Sequence, residues 1–557
     1  MKKKSWVYKL IIFVWTVCSA FLVYNLYKNI NNVFNNAVGF KEILITIFLT
    51  GNTLILMYMW FGSVKDFMFS FIFLINKKRI LKRYEDIYNI EVNETPKFVL
   101  LYCTRNDFNE EALLKCMGQD YPNFEAVILD DSSKEEYFKR IDNFSKEHNV
   151  KVVRRENKVG FKAGNLNNYL QNNDDYDYFV VLDSDEIIPS DYCSKILKYF
   201  YYNKQIGAVQ ASHIATQGVN VFQDLMGLSV KSNGQTCQIM KNFYGSNSLI
   251  GHGMTISKEC YKKTGGFPHV VAEDISFAIE IKNSGYKIAY APNIVCQEEF
   301  PVNYICLKKR QCKWTQGNIE FMKKYNKSVN KSNMTWFEKL DTKLSHYNLP
   351  IMPMLSYLLI INTIGLGFCN YNVINYSFYL FGLMTLFLVS PLIPDLFVHA
   401  KSKNVFKLIP YFIVNISTYA SLSPMMIKTV VLGVMGKKAT FIVTPKENSK
   451  ISLVETFKAT YDTLLFMVIV GVLGYFACGS IAPLLFILIT CALSPIMVLL
   501  ANIAIKPKVI KTKQKIKVKK AKKSKVEKKS STKFDVDNEE DFVDDATILA
   551  KIEWNNI

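Results

Sequence analysis

Residues 178–185 read Tyr-Phe-Val-Val-Leu-Asp-Ser-Asp, five apolar or aromatic side chains running into two carboxylates one residue apart. A short run of this kind is a buried strand, and the polar turn after it marks the strand's end. Three comparable runs precede it, Phe98–Cys103, Glu125–Asp130 and Lys151–Arg154, with helical or loop stretches between them. This alternation predicts an α/β domain with a largely parallel sheet. Ligands of such sheets gather at the carboxyl ends of the strands. The conspicuous polar residues fall there: Thr104, Arg105 and Asn106 after the first strand, Asp130 and Asp131 at the end of the second, Asp183 and Asp185 after the fourth. Two carboxylates so spaced can hold a hard divalent cation that bridges phosphate oxygens. An ordinary surface turn has the same spelling.

A second acidic pair, Glu273-Asp274, follows Gly265-Gly266-Phe267-Pro268 and precedes an amphipathic stretch, Ile275–Ser284. Carboxylates at a helix start cap its free amides and complement its dipole. Either of the two can also serve as a general base toward an attacking hydroxyl. Sequence pattern alone leaves both readings open.

The flanks of this domain are apolar. Of the 557 residues half are hydrophobic and 14% aromatic, too apolar for an ordinary soluble enzyme. The apolar runs Trp6–Tyr27, Ile43–Gly62, Asn348–Cys369, Ser377–Phe397, Leu464–Cys478 and Ile481–Ile505 predict six membrane spans. The first carries Lys2, Lys3 and Lys4 like a signal peptide, but its length and the lack of a small-residue cleavage site make it a span. Leu408–Val434 is also apolar but is broken by Pro410 and Pro424, with lysines on both sides, so it reads as an interfacial or re-entrant helix. Basic clusters such as Lys77, Lys78, Arg79, Lys82 and Arg83 place the central domain and both termini on the cytoplasmic side. The net charge of +20 follows from these flanks and from the lysine-rich stretch Lys506–Lys533, so it does not point to nucleic acid. Twelve cysteines without a CxxC pair argue against a zinc framework or a disulfide scaffold. The expected organisation is a transmembrane hairpin (1–84), a cytoplasmic α/β domain with interfacial helices (85–345), a second membrane region (346–505) and a disordered basic-then-acidic tail (506–557).

Taken together these motifs resemble the family-2 glycosyltransferases, and among them the processive membrane synthases typified by cellulose synthase, with hyaluronan and chitin synthases as cousins. Leu129-Asp130-Asp131-Ser132-Ser133 is similar to the family's first acidic motif, which contacts uridine, and Lys162-Ala163-Gly164-Asn165 to its nucleotide loop. Asp183-Ser184-Asp185 falls on the family's Asp-x-Asp, and Ala272-Glu273-Asp274 on its Thr-Glu-Asp. The resemblance therefore implies a GT-A domain that binds a UDP-sugar through Thr104, Arg105, Asp130, Asp131, Lys162, Gly164, Asn165, Asp183 and Lys313, with Mg²⁺ or Mn²⁺ on Asp183 and Asp185. It implies Asp274 as catalytic base, with Glu273 beside it.

The family's Gln-x-x-Arg-Trp motif is altered here to Arg310-Gln311-Cys312-Lys313-Trp314. Gln311, Trp314 and His252 are the expected acceptor-binding residues. Phe441-Ile442-Val443-Thr444-Pro445-Lys446 is similar to the gating loop of cellulose synthases, within 436–450, and Phe441, Val443, Thr444 and Lys446 would contact the chain there. The implied activity is inverting, processive polymerisation of a UDP-sugar, UDP-glucose first, into a β-linked polysaccharide that crosses the plasma membrane. The alternatives are a UDP-N-acetylglucosamine polymer synthase, single-sugar transfer to a lipid carrier, and a transport or scaffold protein with a relic domain. The expected partners are the donor, the growing glycan and membrane lipids.

Overall fold

Seven strands form one sheet in the computed structural model, which describes residues 3–35, 39–400, 405–437 and 449–505. They are β1 (Phe98–Thr104), β2 (Phe124–Asp130), β3 (Lys151–Arg154), β4 (Tyr178–Asp183), β5 (Ile206–Ala215), β6 (Met254–Ser257) and β7 (Lys287–Glu298), in the order β3-β2-β1-β4-β6-β5-β7. β6 is antiparallel to both its neighbours and the other four pairings are parallel. The sheet is thus mixed, of GT-A type.

The register aligns the strand ends that carry the polar residues. Thr104 pairs with Asp130, Asp130 with Arg154, and Cys103 with Asp183. Alternation along the strands fills two cores. Leu100, Tyr102, Ile128, Val180 and Leu182 face one side, Val99, Leu101, Val127, Leu129 and Val181 the other. The first core continues into Val7, Tyr8, Ile11, Phe69 and Ile72 of the first two helices, so the sheet domain is packed onto the amino-terminal hairpin. Tyr8 donates from its hydroxyl to Asp341 at 2.5 Å across that seam.

Three strands were absent from the sequence reading, each for a local reason. β6 has only four residues, too few to show alternation. β5 is buried on both faces over most of its length and carries the polar Gln210, Ser212 and His213. β7 contains Pro292, and the chain bulges there: Ala211 pairs with Ala291 but Ser212 with Val295, so Pro292–Ile294 are looped out.

Among the described residues six helices are long and apolar enough to cross a membrane: Trp6–Phe34, Phe40–Tyr88, Trp336–Phe368, Val373–His399, Leu453–Cys478 and Ala482–Asn502. They correspond in order to the six expected spans. The second does not stop near Gly62 but continues as one helix to Lys82, because Ser63–Asn76 is again apolar and contains no proline. Leu408–Val434 folds as two helices, Ile409–Ser421 and Ser423–Val434, each with its proline in the first turn where no amide is needed. The gating-loop residues Phe441, Val443, Thr444 and Lys446, and the tail 506–557, lie outside the described residues.

Candidate active site

At the carboxyl ends of β1, β2 and β4 a cavity of about 770 Å³ opens, and it reaches across to the helices Tyr304–Lys331, Trp336–Phe368 and Ile409–Ser421 through Trp314, Leu349 and Tyr419. Thr104, Arg105, Asp131, Lys162, Asn165, Asp183, Asp185, His252, Glu273, Asp274, Lys313 and Trp314 all line it. Asp130, Gly164 and Gln311 do not.

Asp130 is buried beneath the cavity. Its Oδ2 accepts from Arg154 Nε at 2.7 Å and its Oδ1 from the Ser132 amide at 2.8 Å. Asp131 points into the cavity and is gripped by Arg155, whose Nε and Nη2 donate to its two oxygens at 2.9 and 2.6 Å. Arg155 also donates to the carbonyls of Val159 and Phe161, both at 2.7 Å, and so fixes the loop that leads to Lys162. Gly164 is what permits this grip. A Cβ at that position would stand 2.0 Å from Val159 O and 2.5 Å from Arg155 Nη1. The expected nucleotide role of Gly164 is therefore indirect, through the loop it lets approach.

On the opposite wall the helix Phe161–Asn172 presents Lys162, whose ammonium pairs with Asp183 and donates to Gly251 O at 2.7 Å. Burial alone would lower the Lys162 pKa, but its acidic neighbours, Asp183 foremost, raise it above the ordinary lysine value. Asp185 accepts from the Glu299 amide at 3.1 Å. Asp183 and Asp185 are two carboxylates on one turn at a cavity wall that already draws a lysine ammonium. That all-oxygen donor pair fits Mg²⁺ or Mn²⁺.

Glu273 and Asp274 are the first two residues of the helix Glu273–Asn283, whose amino end faces the cavity. Ala272 offers no capping side chain, and Asp274 Oδ1 accepts the Ile275 amide at 2.8 Å. One oxygen thus serves the helix start while the carboxylate lines the cavity, so the cap does not exclude a base at this residue. Burial, and then the charge of Asp274, push the Glu273 carboxyl well above the usual range, while Lys162 and Lys313 pull it back. Burial also raises Asp274, opposed by the Ile275 amide and the same two lysines.

The helix Tyr304–Lys331 sorts the altered motif by its period. Arg310, Lys313, Trp314 and Gly317 occupy one stripe and line the cavity, whereas Gln311 is turned about 100° away and is buried. Gln311 thus lies off the face that the acceptor role requires, and Arg310 stands on it. The Arg310 guanidinium sits 4.5 Å from the Trp314 ring centroid. His252 lines the cavity with both ring nitrogens engaged, Nδ1 on Glu186 and Nε2 on Glu298 at 3.1 Å. Arg155, Glu186 and Glu298 had no place in the sequence reading. The Arg154-Arg155 pair at the end of a strand, opposite Asp130-Asp131, was the available signal for the first.

A seven-stranded mixed sheet with a carboxylate pair at a strand end, basic groups around it and a further acid at a helix start is the arrangement expected of a GT-A glycosyltransferase domain. Residues 178–400 match the family described as Glycosyl transferase family group 2. Residues 178–400 thus have the sequence character of a family-2 glycosyltransferase domain, and six helices among the described residues are long and apolar enough to cross a membrane. The chain is similar to poly-beta-1,6-N-acetyl-D-glucosamine synthases of Staphylococcus epidermidis, with 24% identity over 227 residues, 40% of this chain and 55% of theirs. The chain spans about half the length of these curated relatives. Among solved structures it is similar to a mannosyltransferase, PcManGT, from Pyrobaculum calidifontis in complex with GDP-Man and Mn²⁺, at 18% identity and a TM-score of 0.43, covering 69% of this chain and 100% of that one. It is also similar to S. aureus TarS residues 1–349 in complex with UDP, at 14% identity and a TM-score of 0.34, covering 62% and 94%.

Proposed function

We propose that this protein is a processive, inverting synthase that polymerises UDP-N-acetylglucosamine into a β-linked polysaccharide and passes it across the plasma membrane. The observation that carries the processive part is the single cavity. It runs from Asp183, Asp185 and Asp274 past Trp314 to Leu349 and Tyr419 on helices of the membrane region, so an elongated acceptor has a path away from the donor. N-acetylglucosamine replaces the glucose expected from the sequence because the related synthases are named for that sugar.

In this reading Lys162 and Lys313 face the donor diphosphate, Asp131 the nucleoside, and Asp274 takes the proton of the acceptor hydroxyl. Asp183 and Asp185 would hold Mg²⁺ or Mn²⁺, which neutralises charge on a departing diphosphate. Trp314, which is 45% exposed, offers a ring for the terminal sugar. Attack by the acceptor hydroxyl from the face opposite the diphosphate would turn an α-linked donor into a β-linkage. In this reading the sheet domain within 85–345 carries the chemistry, the helices of 346–505 form the conduit, and the sheet domain faces the cytoplasm, a side that the basic flanks support. The test is to offer radiolabelled UDP-N-acetylglucosamine and UDP-glucose separately to the purified chain in lipid nanodiscs and to analyse product length and linkage. A long β-linked polymer from the first alone is expected. A product of one or two sugars, or polymer from UDP-glucose alone, overturns the reading.

A further inference from the structure

Beside the Asp183–Asp185 turn the fold buries a second set of ionisable groups that the proposed transfer does not use. Glu186 follows β4, His213 lies in β5, His252 precedes β6, and Cys296 and Glu298 lie in β7. Register brings them together: His213 is the β-partner of Cys296, and Ala215 of Glu298, while Ile187 and Gln297 exchange both backbone hydrogen bonds at 3.0 and 2.8 Å. Glu186 is fully buried, His213 is 5% exposed, and the two imidazoles stack edge to face with centroids 4.7 Å apart. The packing leaves no spare volume on one side, since a Cβ on Gly253 would meet His213 Nε2 at 2.5 Å and Glu186 Oε1 at 2.6 Å.

The hydrogen bonds have a directional logic. Glu186 is a carboxylate that only accepts, so His213 Nε2–H donates to its Oε1 at 2.9 Å and His252 Nδ1–H donates to its Oε2. One buried carboxylate therefore orients both rings and fixes which nitrogen of each is left over. On His252 the remaining nitrogen, Nε2, faces Glu298 at 3.1 Å, a contact that needs a positive charge between two acceptors. On His213 the remaining nitrogen, Nδ1, is buried with no hydrogen-bond partner. A buried ring nitrogen with a lone pair and no donor is an uncompensated acceptor. A carboxylate behind each histidine is also the arrangement that supports metal-bound imidazoles.

We propose that His213, His252 and Glu298 form a binding site for a divalent transition metal of the zinc class, with Glu186 as the carboxylate that orients both imidazoles. One ring nitrogen of each histidine and a carboxylate oxygen of Glu298 lie within 4.8 Å of one another, close enough to converge on one ion. Two nitrogens and one carboxylate select zinc, cobalt or a similar ion over Mg²⁺, which prefers oxygen. The site is thus chemically distinct from the all-oxygen Asp183–Asp185 pair. All three ligands line the cavity, so a fourth coordination position faces it and takes water or a sugar hydroxyl. The inference stands independently of which sugar is polymerised.

The test uses the purified full chain in detergent, freed of its affinity tag, stripped with a chelator and titrated with Co²⁺ alone. One equivalent with the intense visible absorption of low-coordinate cobalt is expected, displaced by Zn²⁺ and not by excess Mg²⁺. Asp183→Asn and Asp185→Asn retain that spectrum, His213→Asn and Glu298→Gln lose it, and Glu186→Gln weakens binding about 10–100-fold, the usual effect of removing a ligand's supporting group. The wild-type chain settles the matter even if a variant misfolds. Absence of the low-coordinate spectrum from the wild type, or its loss in the Asp183→Asn, Asp185→Asn double variant, overturns the proposal.

Discussion

Replacing Arg155 by alanine tests whether the first acidic motif is aimed by tertiary contacts. The side chain donates four hydrogen bonds, two to the Asp131 carboxylate and two to the carbonyls of Val159 and Phe161, and its partner is equally hidden, with exposures of 6% and 9%. Removing one member of a buried ion pair costs about 3–5 kcal/mol because the other charge is left uncompensated. Asp131 lines a cavity that water enters, which favours the lower end, about 3 kcal/mol. For a domain of this size each kcal/mol moves the midpoint by roughly 2–4 °C, so a drop of about 6–12 °C is expected. The freed loop also carries Lys162, so UDP should bind about tenfold more weakly, roughly 1.4 kcal/mol. Thermal unfolding followed by tryptophan fluorescence and calorimetric titration with UDP measure both. In the double-mutant cycle Asp131→Asn relieves part of the loss, with a coupling of about 0.5–3 kcal/mol. A midpoint within about 2 °C of wild type, together with additive single variants, refutes the reasoning.

Other consequences are checked more briefly. Asp274→Asn removes the assigned base and should lower kcat about 10²–10⁴-fold with UDP affinity unchanged, measured by polymer synthesis and titration. Burial holds both carboxyls above their ordinary values, so activity rises with pH as the pair loses its protons. The charge of Asp274 holds the Glu273 carboxyl up, so Glu273→Gln should remove one ionisation from the pH–rate profile and leave the acid limb set by Asp274. Gly164→Ala drives a methyl into Val159 O and Arg155, and should weaken UDP binding as Arg155→Ala does while leaving Co²⁺ binding intact. Trp314→Ala should shorten or abolish the polymer, by product sizing, without altering UDP affinity.

Much of the catalytic half was legible because strand ends announce themselves. Apolar runs that stop at Thr104, Asp130 and Asp183 specify both the strand and its polar terminus, and parallel register then sets those termini side by side. Hydropathy located the six long apolar helices of the described residues in the same direct way, since about twenty apolar residues in a bilayer satisfy their own backbone only as a helix. The paired prolines at 410 and 424 marked the break in Leu408–Val434.

What the sequence could not show depends on neighbours far along the chain. A buried side chain such as Gln210 or His213 spells like a loop until its partner strand supplies the missing bonds, so β5, β6 and β7 went unread. The pairing of Asp131 with Arg155 needs β2 beside β3 and a glycine at 164. Helix rotation, not motif spelling, put Arg310 on the cavity face and Gln311 off it. Glu186, His213, His252 and Glu298 come from four segments that meet only when β6 inserts antiparallel between β4 and β5. Local periodicity is encoded by nearest neighbours and can be read from them, whereas the electrostatics of a buried group is set by whichever charges the fold brings within a few ångströms.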